Sequence, residues 1–184
     1  MLLFNSLRCA SKGIWYIRDY HPYNSGKQDE FDRMIMNLKN YESEGWKQRK
    51  QKEAENHFFE RLTKIINTNY PAKILVCYIP RSSVGAESHI GNVAKRLCLT
   101  MDLIDGTECL YRICNITTAH TTGIRNDGRH LRSIQIKNKH LIRNSSVLLL
   151  DDVITTGQSM SECGMLLLNE GAKEVIGLGM GLTV

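Results

Sequence analysis

The residues with the clearest chemical potential lie at 147–160, Val-Leu-Leu-Leu-Asp-Asp-Val-Ile-Thr-Thr-Gly-Gln-Ser-Met. Four aliphatic residues in a row predict a strand covered on both faces, because only such a strand has no need of a polar side. The carboxylates Asp151 and Asp152 follow, at the predicted end of that strand. Thr155, Thr156, Gly157, Gln158 and Ser159 then form a small, hydroxyl-rich loop ahead of a helix predicted over 159–169. The first N–H groups of a helix have no intrahelical partner, and its dipole favours an anion there. Hydroxyl donors strengthen that attraction, and a glycine lets the backbone approach closely. This half of the segment is a cradle for a monophosphate. Two aspartates would repel a phosphate. They suit groups that donate to them, such as the vicinal hydroxyls of a ribose, or a hard cation such as Mg2+.

These residues need a scaffold, and the second part of the chain predicts one. Residues 74–79 (Ile-Leu-Val-Cys-Tyr-Ile) form a dense β run stopped by Pro80, and a helix is predicted over 86–99. After 147–150 and the helix at 159–169, Gly171 marks the helix end and 175–178 makes a last strand. Strands alternating with helices predict an α/β fold, an open twisted parallel sheet flanked by helices, with ligands at the strand C-termini. The first part is more polar. Trp15, Tyr16 and Ile17 suit a short strand, Phe31, Met34, Ile35 and Leu38 fall at helical spacing, and Ala54, Phe58, Leu62, Ile65 and Ile66 predict a second, longer helix. The expected organisation is a helical N-terminal extension over 1–70 packed on a core over 71–184.

Composition narrows the classes. The chain has 184 residues, 42% hydrophobic and 23% charged, as expected of one globular core of ordinary size. A net charge of +5 mildly favours anionic ligands. The aliphatic runs are too short to span a bilayer, and residues 1–8 do not form a secretory signal, so no membrane association and a cytoplasmic location are expected. Six cysteines without a Cys-x-x-Cys pair read as free thiols in a reducing compartment. Cys109, Cys114 and His120 leave a loose metal site open as an alternative. The basic run at 47–52 is read as a solvated helix approach, with nucleic acid as the alternative partner.

The segment at 147–160 resembles the phosphoribosyl-pyrophosphate (PRPP) motif of type I phosphoribosyltransferases, four aliphatics, two acidic residues and a Thr-Thr-Gly-x-Ser/Thr loop. The similarity extends over about residues 73–180. It implies that Asp151 and Asp152 hold the ribose hydroxyls and Mg2+, and that Thr155, Thr156, Gly157, Gln158 and Ser159 wrap the 5′-phosphate. It implies a pyrophosphate loop after the first core strand, where Arg81 and Ser82 stand. A guanidinium grips phosphate oxygens in a fork. The family also has a mobile catalytic hood, and the polar stretch 111–138 carries Arg112, Arg125, Arg129, His130 and Arg132. Arg125 and Arg129 are the expected cations for the leaving pyrophosphate, with Asp152 assisting at the reacting carbon.

Within the family the arrangement is similar to the competence protein F group and the amidophosphoribosyltransferase domain, although the cysteine zinc module typical of the former is missing from this sequence. The resemblance implies a Mg2+-dependent transfer of the phosphoribosyl group from PRPP to an acceptor, with pyrophosphate released. The alternative is a regulatory module that senses PRPP or a nucleotide. Expected partners are PRPP or a nucleoside monophosphate. A homodimer is a further reading.

Overall fold

The computed structural model describes residues 4, 7–11, 13–39, 45–66, 73–116 and 128–184, with Asn24, Arg129 and His130 described by their backbone. In chain order the elements are strands β1 (Arg8–Ser11) and β2 (Ile14–Tyr20), helices α1 (Glu30–Lys39) and α2 (Gly45–Ile65), strand β3 (Ile74–Tyr78), helix α3 (His89–Met101), and strands β4 (Ile104–Asp105) and β5 (Leu110–Arg112). There follow the short helix α4 (Arg129–Ser133), strand β6 (Ile134–Ile136), the short helix α5 (Lys139–Ile142), strand β7 (Ser146–Ile154), helix α6 (Gln158–Asn169) and strand β8 (Glu174–Thr183).

The main sheet has the order β1-β2-β8-β7-β3-β4. Its strands are parallel except β1, which pairs antiparallel with β2 at the edge. β5 and β6 make a separate antiparallel ribbon. The fold is the mixed α/β arrangement expected from the sequence. Period-two alternation sorts the central strands into two cores. Ile74, Val76, Leu148 and Leu150 pack on the side of α1, α2 and α3. Leu75, Cys77, Val147 and Leu149 pack with Met160, Cys163 and Leu167 of α6 on the other.

The N-terminal part supplies α1 and α2 as periodicity predicts, and it also widens the sheet. β2 pairs in parallel with β8, from Ile14 opposite Gly177 to Tyr20 opposite Thr183. Close packing makes this possible: a Cβ on Gly181 would come within 2.8 Å of the Tyr20 Cβ. At the end of β2 the chain turns into α1 through a reciprocal carboxylate cap. The Asp32 N–H donates to Asp29 Oδ1 and the Asp29 N–H donates to Asp32 Oδ2, each at 3.0 Å. Asp32 also accepts from the His21 N–H at 2.9 Å, which ties the helix start to the strand end. Carboxylates there suit the helix dipole. From this anchor the 10 residues of α1 carry Lys39 about 15 Å along the helix axis.

β7 corrects one expectation. The strand does not stop at Leu150 with Asp151 at its end. It continues through the acidic pair to Ile154, pairing Asp151 with Gly179 and Val153 with Gly181. Ladder bonds to β8 hold the backbone beyond the apolar run. α6 begins at Gln158, one residue before the predicted start, and α3 begins at His89 rather than near 86. Among the described residues no helix is long and apolar enough to cross a membrane.

Candidate functional site

Three segments meet at the C-terminal edge of the sheet and enclose an open cleft of about 210 Å³. The end of β7 contributes Asp151 and Asp152, the loop after β3 contributes Pro80, Arg81 and Ser82, and the start of α6 contributes Ser159. Two further walls come from elsewhere: Leu38 and Lys39 from the last turn of α1, and Ser88, His89 and Ile90 from the start of α3.

Both aspartates are half-buried, and each has one oxygen fixed by the backbone. The Asp152 N–H donates to Asp151 Oδ1 at 2.9 Å, and the Val153 N–H donates to Asp152 Oδ1 at 2.7 Å. The second oxygen of each is not used by these bonds. Burial pushes both carboxyls above the ordinary aspartate range, and the charge of Asp152 raises Asp151 further. Lys39 opposes the rise at both, and Arg81 opposes it at Asp152. A hard cation fits this donor set, since two carboxylates that repel each other gain from a shared positive charge. Among the described residues no third His, Cys, Asp or Glu joins them, so such an ion would complete its shell with substrate oxygens and water.

The loop after β7 leads into α6 through Gly157, whose φ of 74° is left-handed. That conformation is the reason for glycine here. An added Cβ would meet only Ile14 Cδ1, at an ordinary 3.6 Å, so space is not what excludes a side chain. No side chain caps the helix at Gly157, and the nearest hydroxyl contact, Thr156 Oγ1 with the Gln158 N–H, is long at 3.4 Å. Thr155 and Thr156 are exposed and Ser159 half-buried. The Gln158 amide reaches one turn forward along the helix and donates to Glu162 Oε1 at 2.6 Å. Glu162, buried, accepts from the Leu131 N–H at 3.1 Å, which ties the start of α6 to α4.

The Arg81 loop is held from beneath by a buried guanidinium. Arg112 donates from Nη2 to the Pro80 carbonyl at 2.9 Å, from Nε to the Arg81 carbonyl at 2.5 Å, and from Nη1 to Ser133 Oγ. Its burial lowers the guanidinium pKa from its ordinary value. Arg112 therefore differs from the lid cation expected from the sequence: it is 5% exposed and is a strut under the loop. Beside it, the Ser82 carbonyl accepts from the Ile116 N–H at 2.9 Å and the Val84 N–H donates to Asn115 Oδ1 at 2.8 Å. Arg81 itself reaches across the cleft and donates from Nη1 to the Lys39 carbonyl at 3.0 Å.

Of the other expected residues, Arg125 and His120 lie outside the described residues, Arg129 stands at the start of α4, and Arg132 is exposed. The described ends of the 111–138 stretch form the β5–β6 ribbon. Cys109 is buried in the core with Cys77, whereas Cys114 is exposed. Sequence reading missed Lys39, Ser88 and His89. Ser88 carries a recoverable signal, since a serine three residues before Gly91 caps α3 by accepting its N–H at 3.2 Å. Lys39 has none, because it meets the acidic pair only through the path of α1.

A family model described as a phosphoribosyl transferase domain matches residues 84–178, just over half of the chain. No curated protein matches the sequence. Among solved structures, the chain is similar to phosphoribosylpyrophosphate synthetase from Mycobacterium smegmatis (18% identity, 68% of this chain and 33% of that one, TM-score 0.40). It is also similar to Trypanosoma cruzi hypoxanthine phosphoribosyl transferase (11%, 81% and 64%, 0.39) and to adenine phosphoribosyltransferase from Leishmania tarentolae (11%, 97% and 94%, 0.47). The chain thus spans only a third of the synthetase's length and under two thirds of the trypanosome enzyme's. On the extent of the family match, this chain belongs to the phosphoribosyl transferase domain family.

Proposed function

We propose that the cleft binds PRPP together with Mg2+ and that the protein transfers the phosphoribosyl group to an acceptor, releasing pyrophosphate. The observation that carries this reading is the convergence on one cleft of the Asp151–Asp152 pair, the Arg81–Ser82 loop and the start of α6. PRPP carries groups to match each of the three, namely pyrophosphate, ribose hydroxyls and a 5′-phosphate.

Each part has a physical task. The N–H groups at the start of α6, with Thr155, Thr156 and Ser159, take the 5′-phosphate. Asp151 and Asp152 accept from the ribose hydroxyls or hold the metal, which when bound supplies positive charge against the departing pyrophosphate. Arg81 and Ser82 donate to the pyrophosphate oxygens. Bond breaking at C1 leaves positive charge on the ribose ring, and offsetting it is the role proposed for the Asp152 carboxylate. Arg125 and Arg129 are the proposed cations of a closing hood. The protein's contribution is positioning and fixed charge.

The test is pyrophosphate release from PRPP with Mg2+, assayed with nucleobases, amines and other acceptors in turn. Release that depends on an added acceptor supports transfer. Tight PRPP binding without turnover for any acceptor overturns transfer and leaves a sensing module. Failure to bind PRPP in calorimetry overturns the site reading as a whole.

A further inference from the structure

We propose that Lys39 is a pyrophosphate-binding residue, contributed by the N-terminal segment and working as a pair with Arg81. The proposal rests on the reading of the cleft as a PRPP site and adds a residue that lies outside the matched family region of 84–178.

Position is the first argument. Lys39 ends α1 and lines the same cleft as Asp151, Asp152, Arg81 and Ser82. Its own carbonyl accepts from Arg81 Nη1 at 3.0 Å, so α1 is tied to the loop after β3. That loop is the pyrophosphate side of the cleft. On the 5′-phosphate side the cleft is lined only by Ser159 of the helix start. Lys39 and Arg81 therefore stand together in the cleft, joined by that bond.

Electrostatics is the second. The Lys39 ammonium acts on both aspartates and pulls against their burial, so it is within effective range of each. Lys39 is exposed, and among the described residues no carboxylate forms an ion pair with it. Its flexible four-carbon stem can carry the charge between neighbouring anions. In the ligand-free cleft the ammonium acts on the two aspartates. When ribose hydroxyls and a cation engage those carboxylates, the ammonium is released towards the phosphate oxygens bonded to C1. An ammonium has three donors and no acceptor, so phosphate oxygens suit it and ribose hydroxyl protons do not.

The bland alternative is that Lys39 merely complements the dipole at the C-terminus of α1. The two readings differ in which ligand feels the change. The experiment is calorimetry on the full chain with Mg2+ and three probes, pyrophosphate, ribose 5-phosphate and PRPP, for wild type, Lys39→Met and Lys39→Arg, each checked for folding by its melt. The expected result is that Lys39→Met weakens pyrophosphate and PRPP about tenfold while ribose 5-phosphate changes by less than about twofold, because one charge-assisted contact to phosphate is lost. Lys39→Arg should retain most pyrophosphate affinity. Unchanged pyrophosphate binding in folded Lys39→Met, or an equal loss for ribose 5-phosphate, overturns the proposal while leaving the PRPP reading intact. A wild-type protein that binds none of the three probes overturns both.

Discussion

Asp151 and Asp152 are consecutive in β7, yet both line the same cleft. Neighbours in a regular strand point to opposite faces. The alternation reverses at this point: Leu150 and Val153 pack in the same core, and Ile154 joins the other. The carboxylate-to-backbone bonds within the pair accompany this reversal. Two half-buried acids beside one another are a cost that a bound cation or hydroxyl donors relieve.

Replacing either acid by Asn should therefore not lower the melting temperature of the ligand-free protein. Asn keeps an acceptor for the backbone N–H and removes the charge. Relief of about 1 kcal/mol is expected, or about 3 °C for a chain of this size. Because burial holds both carboxyls above their ordinary value of 3.8, their contribution is most favourable below that pH. It is lost as pH rises through the elevated values. The gap between mutant and wild type should thus be small at about pH 4 and widest above neutrality. Both variants should lose most of the stabilisation by PRPP with Mg2+ that the proposed function expects of the wild type. Melting curves across pH, with and without ligand, check this. A strong loss of stability in either free mutant would assign that aspartate a structural task instead.

At Gly157 the obstacle to substitution is conformation, not space. Gly157→Ala should cost about 1 kcal/mol, since φ is left-handed and the Cβ contact is ordinary. Gly157→Asn should recover part of that, because Asn tolerates this region. Phosphate binding should weaken in step with the lost backbone geometry, as read by calorimetry with ribose 5-phosphate. Equal stability of Ala and Gly proteins would refute the assignment.

Arg112 should be more costly to remove than any exposed arginine. Arg112→Met removes the donor to the Pro80 and Arg81 carbonyls, and a loss of about 3 kcal/mol in chemical denaturation is expected. Arg112→Lys keeps charge but cannot span three acceptors at once, so it should rescue less than half of this. In conditions where the Lys variant is folded, pyrophosphate affinity should fall more than ribose 5-phosphate affinity, because the strut supports the Arg81 loop.

The Glu55–His89 pair, Oε1 to Nδ1 at 2.5 Å, joins α2 to the α3 turn that lines the cleft. Burial pushes the Glu55 carboxyl up, but bonds from His89 and Asn92 outweigh it and hold the group below its ordinary value of 4.5. Its contribution is therefore present above that pH and lost as pH falls through the lowered value. Glu55→Gln should destabilise the protein by about 2 kcal/mol at neutral pH and progressively less towards acid. A penalty independent of pH would point to packing and not charge.

Sequence alone determined the two central strands, the glycine loop at 155–159 and the acidic pair. Each is a local matter: an unbroken apolar run such as Leu148–Leu150 suits a doubly covered strand, and a small hydroxyl-rich run with Gly157 suits a turn ahead of a helix. Tertiary structure decided the rest. Whether Asp151 ended the strand depended on the ladder to Gly179 and Gly181, which no pattern around residue 151 records. Arg112 looked like a lid cation because charged side chains in a polar stretch are usually solvated. It became a strut because the ribbon carries it under two carbonyls that needed donors. Lys39 entered the cleft because the Asp29–Asp32 cap sets where α1 begins and its length sets where it ends. Such placements depend on the paths of elements distant in sequence, and local propensity carries no information about where those paths cross.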